Sequence, residues 1–341
     1  MAGTSMIKKS AKRHKVTARD VATRAGVSKW TVSRAFTPGA SISEKARESV
    51  LAIAQELGYR PNLLARGLSQ KRTHIIGIAI DELKNPHSML MLDEVTRQLQ
   101  NRGYMALLLN ITGNNYYSVM SLADQLQVDG ILFLATALTP EFIAIAVEMH
   151  DIPLVQVSRN TEGQEIDVVN VDDYQAGRVI ARLLMDEGHQ RFGYITGPRG
   201  EEGHLRRKQG FRDELHAQGF RLELELSTEH YDRYLSYRLI KQYLLETPSS
   251  ARIDALFCEN DVLALGAMEA LRDAADKPAL AVVGFDDIDE AAAPGWQLTT
   301  YSQRIDLLME EALNRLISGK SDPNGDWKKG ELRIRQSHRK L

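Results

Sequence analysis

The apolar positions of this 341-residue chain fall into two textures. Up to about residue 60 they recur every three or four residues, as on one face of a helix. From Thr73 onward, short unbroken apolar runs alternate with helical spacing. In the first texture, Val16 to Phe36 predicts two short helices joined by a tight turn. Thr17 is placed to cap the first, with Asp20 reaching back as a short capping box. Val21, Ala22 and Ala25 form its inner face, and their small size admits a second helix closely. Gly26 stands where that helix must stop, because a left-handed residue costs glycine little. Ser28 caps the next helix, Lys29 to Phe36, which turns Val32 and Phe36 inward and leaves Lys29, Trp30, Ser33 and Arg34 outside. Thr37-Pro38-Gly39-Ala40 reads as a loop. Ser43 then caps a third helix, Glu44 to Leu57, whose Ala46, Val50, Ile53, Ala54 and Leu57 close a small core before Gly58.

The second texture predicts strands at 75–80, 104–109, 131–134, 154–157, 168–171, 192–196, 220–226, 255–258 and 280–285. Between them fall helices at 86–102, 116–126, 140–148, 174–187, 202–218, 233–245 and 262–274. The last of these strands is almost continuously apolar, as a strand covered on both faces should be. Such alternation implies parallel sheets, and its length is too great for one. Two Rossmann-like lobes with a ligand cleft between them are expected.

Composition is that of an ordinary globular chain, 43% hydrophobic and 26% charged, able to bury a sizeable core. The net charge of −2 hides an asymmetry that changes the picture. Residues 1–73 carry 15 lysines and arginines against 4 acidic residues, a net +11, which leaves −13 for residues 74–341. A basic head on an acidic body is the outline of a protein that sets one end on nucleic acid. The single cysteine, Cys258, excludes an internal disulfide. No apolar run reaches the length of a membrane span, and the basic first residues lack the apolar centre of a secretory signal. A cytoplasmic protein with no membrane partner is expected.

A short helix presenting side chains from its first turn is the recognition element of a helix-turn-helix. The word D-V-A-x-x-A-G-V-S-x-x-T-V-S-R at 20–34 resembles the opening of the lactose-repressor (LacI/GalR) family at nearly every informative position. The alternative for the two helices alone is a charged helical hairpin. Through the body the resemblance continues in G-Y-I-T-G at 193–197, R-x-x-G-F at 207–211, N-D-x-x-A-x-G-x-x-x-A-L at 260–271, G-F-D-D at 284–287 and L-T-T at 298–300. It implies an all-α helix-turn-helix headpiece with a hinge helix, followed by an α/β, two-lobed, periplasmic-binding-protein-like body with parallel sheets. The expected domains are a disordered basic tail (1–14), the DNA-binding head (15–60), the hinge (61–73) and an effector-binding and dimerisation body (74–341). By the same analogy one lobe is about 74–171 plus 301–328, the other about 172–300 plus 329–341.

The resemblance places Thr17, Ser28, Lys29, Trp30, Thr31, Ser33 and Arg34 on DNA. In the N-x-x-A-R-x-L word it adds Asn62, Ala65, Arg66 and Leu68, with Leu68 as a minor-groove wedge that kinks the duplex. By composition alone that segment is a linker. Trp30 departs most visibly from the family, which has small or polar residues there. It either meets a thymine methyl or packs sideways near Phe36.

In open α/β sheets, side chains at the carboxyl ends of strands face the crevice. Asn85, His87, Ser158, Arg159, Asn260 and Asp286 stand at such ends, and Arg207 and Tyr231 join them through the resemblance. Asn260 both donates and accepts and Asp286 accepts, which suits a polyhydroxylated ligand. Their bland alternatives are a helix cap for Asn260, a turn former for Asp286, a half-buried loop tyrosine for Tyr231 and surface arginines for Arg159 and Arg207. Arg207, Arg159 and His87 together leave room for an anionic sugar derivative.

No catalytic constellation emerges. The nine histidines are scattered without metal-ligand spacing, and neither Gly-x-Ser-x-Gly nor a phosphate-binding loop occurs. No cofactor is expected. The implied function is a repressor-type regulator that binds a palindromic operator as a homodimer under control of a sugar-like effector. The alternative is a solute-binding protein of the periplasmic sugar-binding type.

Overall fold

The computed structural model describes residues 16–37, 39–61, 72–112, 116–134, 144–145, 148, 152–157, 166–198 and 206–340. The tail 1–14, Asn62, Ala65, Arg66 and Leu68 of the hinge, most of the expected helix 140–148, and Ser158 and Arg159 lie outside the described residues. The chain divides into two units, Met1–Thr73 and His74–Leu341.

The first unit holds α1 (Ala18–Ala25), α2 (Lys29–Ala35) and α3 (Glu44–Leu57). Val21, Ala22, Val32, Ala35, Val50 and Ala54 are buried between them, and Phe36 and Tyr59 meet edge to face at its margin, 5.7 Å apart. These are small side chains, so the core is thin for an independent domain. The helix ends compensate. Gly26 and Gly58 take left-handed φ of 67° and 68° at the close of α1 and α3. Arg47 donates to the carbonyls of Ala35 (2.7 Å) and Ala40 (2.9 Å), tying the loop after α2 to α3.

In the second unit, β1 (Ile75–Ile80), β2 (Met105–Asn110), β3 (Gly130–Leu134), β4 (Leu154–Val157) and β5 (Asp167–Val169) form a parallel sheet in the order β2-β1-β3-β4-β5. The helices α4 (Pro86–Asn101) and α5 (Tyr116–Gln125) connect its first strands. A second sheet contains β6 (Phe192–Thr196), β7 (Leu222–Ser227), β8 (Ala255–Cys258), β9 (Ala281–Phe285), β10 (Thr299–Ser302) and β11 (Glu331–Arg333). Its order is β11-β10-β9-β8-β6-β7, parallel except for β11. With it run α6 (Asp173–Asp186), α7 (Arg207–Ala217), α8 (Arg233–Glu246) and α9 (Asp261–Asp273). The strands β1 and β9 are apolar almost throughout because helices cover both faces of each sheet.

The two lobes exchange chain. Leaving β10 in the second sheet, the chain enters α10 (Ile305–Ser318), whose Leu308, Met309, Ala312, Leu313 and Leu316 pack with Ile76, Ile78 and Ile80 in the first lobe. Trp327 joins that same core before β11 returns to the second sheet. A hydrogen bond from Asp172 N to Lys328 O (2.9 Å) ties two of the crossing segments. The sequence reading assigns no elements to 299–333, where β10, α10 and β11 stand. In the second lobe, α6 and α7 touch backbone to backbone. A Cβ on Gly177 would overlap the Arg207 carbonyl, and one on Gly210 the Tyr174 carbonyl.

Candidate functional site

In the head, the residues at the helix starts are engaged with one another. The Thr17 backbone N and hydroxyl both donate to Asp20 Oδ2, at 2.8 and 2.7 Å. Ser28 Oγ accepts from Thr31 N (3.1 Å), and the two hydroxyls lie 2.9 Å apart. These contacts fix the direction of α2 and therefore which side chains face outward. Lys29, Trp30 and Ser33 are exposed and Arg34 half-buried. Trp30 is 67% exposed, with the Arg34 guanidinium 4.1 Å from its ring centroid, a cation–π arrangement. Phe36 packs against the head's core and meets Tyr59, whereas Trp30 is not among the residues packed there.

In the body, Asn85 and His87 open α4 after β1, and Arg207 opens α7 after β6. Tyr231 follows β7, Asn260 follows β8 and Asp286 follows β9. All six therefore stand beyond carboxyl ends of parallel strands, and the structure gathers them at the junction of the two lobes. His87 Nε2 of the first lobe lies 3.7 Å from Asp286 Oδ1 of the second.

Arg207 is buried and is no surface arginine. Its Nε and Nη2 both reach Asp173 Oδ1 at 2.8 Å, and Nη1 donates to Glu259 O at 2.7 Å. Its guanidinium lies 3.5 Å from the Phe285 ring centroid. Burial works against the guanidinium, but Asp173 and Asp286 outweigh it and hold Arg207 charged, above its usual range. Burial raises the Asp173 carboxyl, and Arg207 opposes that rise. The cation thus already has a carboxylate partner.

Glu259, at the end of β8, is not among the site residues expected from the sequence. Its buried carboxylate accepts from Gly197 N (2.6 Å), Thr196 Oγ1 (2.9 Å), Tyr231 Oη (3.0 Å) and Tyr194 Oη (3.3 Å). Burial, reinforced by Glu259, pushes the Tyr231 phenol well above its ordinary range, so it stays a donor. The Tyr231 ring lies over Gly197, where any Cβ would overlap it. An acid closing the apolar run A-L-F-C is the signal that marks Glu259 in the sequence.

The bland readings also hold in part. Asn260 Oδ1 caps α9 by accepting from Leu263 N (3.0 Å), and Asn85 Oδ1 caps α4 by accepting from His87 N (3.1 Å). Asp286 caps nothing. It occupies φ 109°, and Asp287 follows at φ 55°, conformations that cost a side-chain-bearing residue on the order of 1–3 kcal/mol and cluster at functional sites. Its Oδ1 accepts from Gln303 Nε2 (2.9 Å), a residue the sequence did not single out. Asp287 is held by Arg335 (2.6 Å) and Arg333 (3.3 Å). Burial lowers His87 below the usual histidine range; Asp286 opposes this and Arg207 adds to it. Among the described residues no group of His, Cys, Asp or Glu is arranged to hold a metal, and no helix is long and apolar enough to cross a membrane.

A helix-turn-helix head and a two-lobed, parallel-sheet body in one chain define a class of transcriptional regulators. Two family models match the chain. Residues 17–62 match the bacterial regulatory proteins of the lacI family, and residues 73–310 match the periplasmic binding proteins and sugar binding domain of the LacI family. The ribose operon repressor of Escherichia coli (strain K12) is 31% identical over 312 residues, covering 90% of this chain and 94% of its own. The regulator DegA of Bacillus subtilis (strain 168) is 31% identical over 303 residues, covering 85% and 87%. Among solved structures, the lac repressor dimer bound to operator and the anti-inducer ONPF superposes with a TM-score of 0.81 at 24% identity, over 95% of this chain and 99% of that one. The chain belongs to the lacI family of bacterial regulatory proteins.

Proposed function

We propose that this chain is a cytoplasmic repressor that binds a palindromic double-stranded DNA operator as a homodimer and responds to a sugar-like effector at the interlobe junction. The observation that carries the reading is α2, which presents Lys29, Trp30 and Ser33 outward over a closed core, with Arg34 beside them. Lys29 donates to guanine N7 or O6 and Trp30 meets a thymine methyl. Arg34, Thr17, Ser28 and Thr31 contact phosphates. The family resemblance assigns Asn62, Ala65, Arg66 and Leu68 to the minor groove.

Association through the body is supported by apolar side chains left exposed on the first lobe, Met105 and Leu108 on β2 and Tyr117 and Leu122 on α5. Asn85, His87, Arg207, Tyr231, Asn260 and Asp286 form the effector site, with Ser158 and Arg159 assigned to it by position in the sequence. Among the described residues the charge balance there favours a neutral polyhydroxylated ligand over an anion, because Arg207 is matched by Asp173 while Glu259 and Asp286 add negative charge. The relatives' names, a ribose operon repressor and a lac repressor, point the same way. Only an effector that binds two conformations unequally can change operator affinity. A gel-shift assay against palindromic fragments, with and without a panel of sugars headed by D-ribose, tests the reading. Retarded bands at one half-site spacing that change with one sugar are expected. No preference among fragments at any salt concentration would overturn it.

A further inference from the structure

The outer face of α2 brings together two side chains that the proposed function treats separately. Trp30 and Arg34 stand four positions apart, as neighbours on one helix face. The Arg34 guanidinium carbon lies 4.1 Å from the centroid of the Trp30 ring, inside the reach of about 6 Å for a cation–π contact. Even so, Trp30 keeps 67% of its surface exposed, while Arg34 is half-buried.

Other arginines of the head are held by oxygen. Arg24 Nη2 donates to Glu56 Oε1 at 3.1 Å, and Arg47 is committed to the carbonyls of Ala35 and Ala40. The sequence of α2, K-W-T-V-S-R-A, contains no acidic residue. Among the described residues no carboxylate or carbonyl accepts from the Arg34 side chain; its partner is the indole. The difference matters on a surface that meets DNA. A carboxylate orders an arginine but cancels its charge and occupies its donors. An aromatic face orders it and leaves both, because a planar, weakly hydrated guanidinium rests on a ring without giving up its N–H groups. A long side chain that is still free loses its rotamer freedom on binding, and that loss subtracts from affinity. A side chain held in advance has already lost it.

We propose that Trp30 is a positioning residue for Arg34: its ring holds the guanidinium on the outer face of α2, charged and with its donors open, before DNA binds. Arg34 then offers a preset fork to a pair of acceptors on the duplex, either two oxygens of one phosphate or N7 and O6 of one guanine. This rests on reading α2 as the operator-facing helix. It adds to the contact with a thymine methyl, which uses the part of the indole that Arg34 leaves uncovered.

Two measurements on the full chain test the pair. In the first, arginine is labelled with nitrogen-15, and the Nε–H signal of Arg34 is assigned by its absence from Arg34→Lys. In protein free of DNA that signal should stand upfield of its position in Trp30→Leu, since a ring facing the guanidinium shields it. Trp30→Phe should keep part of the shift. Trp30 lies outside the head's core, so these variants should fold, and a cooperative thermal melt qualifies each. The same Arg34 signal in wild type and Trp30→Leu would overturn the proposal.

The second measurement is a double-mutant cycle of Trp30→Leu and Arg34→Ala. It is read as affinity for the palindromic fragment most retarded by wild type and for a random-sequence duplex of equal length. Each single change should weaken binding, and the loss from Trp30→Leu should be at least about threefold smaller once Arg34 is gone. Losses that simply multiply, as for two independent contacts, contradict the positioning role. Coupling of equal size on both duplexes, with a salt slope shallower by about 1 in Arg34→Ala, places the acceptors on phosphate. Coupling confined to the palindromic fragment places them on guanine. A shielded Arg34 signal with neither duplex retarded by wild type would overturn the operator reading of α2, and the pair's role on DNA with it, while leaving the stack itself.

Discussion

The head and the interlobe junction are built on opposite terms. In the head, six small apolar residues form the interior and the chemistry stands outside, on one face of a seven-residue helix. At the junction, Arg207, Asp173, Glu259 and Asp286 are themselves buried, and nearly every polar atom is committed to a protein partner. An exposed reader can change its side chains without disturbing its support. A buried site cannot, because each charge is held in place by the next.

That contrast orders the expected effects. The largest belongs to the junction. Asp173→Ala leaves Arg207 buried without its carboxylate and should destabilise the body by about 3–5 kcal/mol. Denaturant unfolding of the full chain checks it. A loss below about 1 kcal/mol would mean that the pair is interchangeable with water and that the contrast with the head is weaker than drawn.

In the head, Trp30→Ala should leave folding intact while relaxing base preference at one symmetric pair of operator positions, by roughly 1–3 kcal/mol. Binding to a set of single-position operator variants reads this out. A head that melts on this substitution would make Trp30 a structural residue despite its exposure. Smaller again, Ser28→Ala removes the cap that accepts from Thr31 N and should cost the head about 1 kcal/mol. Thermal unfolding followed at the head's own resonances would show it, and an unchanged midpoint would assign the start of α2 to packing alone.

The same contrast explains what the sequence disclosed. The head was legible almost residue by residue, since Thr17, Gly26, Ser28 and Ser43 act on neighbours three or four positions away. The strands of the body were legible because burial on both faces writes them as apolar runs, as in I-I-G-I-A-I. The short, partly polar β10 and the three-residue β11 carry no such run. The helical spacing of Leu308, Ala312 and Leu316 in α10 went unassigned, and nothing local says that this helix serves the first lobe. Only the resemblance places Arg207 at the cleft, because its partners, Asp173 and Glu259, are brought to it by the packing of α6 and α7 and by the order of the second sheet. Gln303 was invisible for the same reason. Its contact with His87 spans 216 positions of sequence.

On the proposed function, an effector at the buried junction changes operator binding by the head while the two remain separate sites. An operator titration by fluorescence anisotropy, with and without a sugar that calorimetry shows to bind, tests it most directly when run on wild type and Asp286→Ala side by side. Wild type should change its operator affinity on adding the sugar. The variant should bind the operator as wild type does without sugar and fail to respond to it. A full sugar response in Asp286→Ala, or loss of operator binding in the absence of any sugar, would contradict the claim.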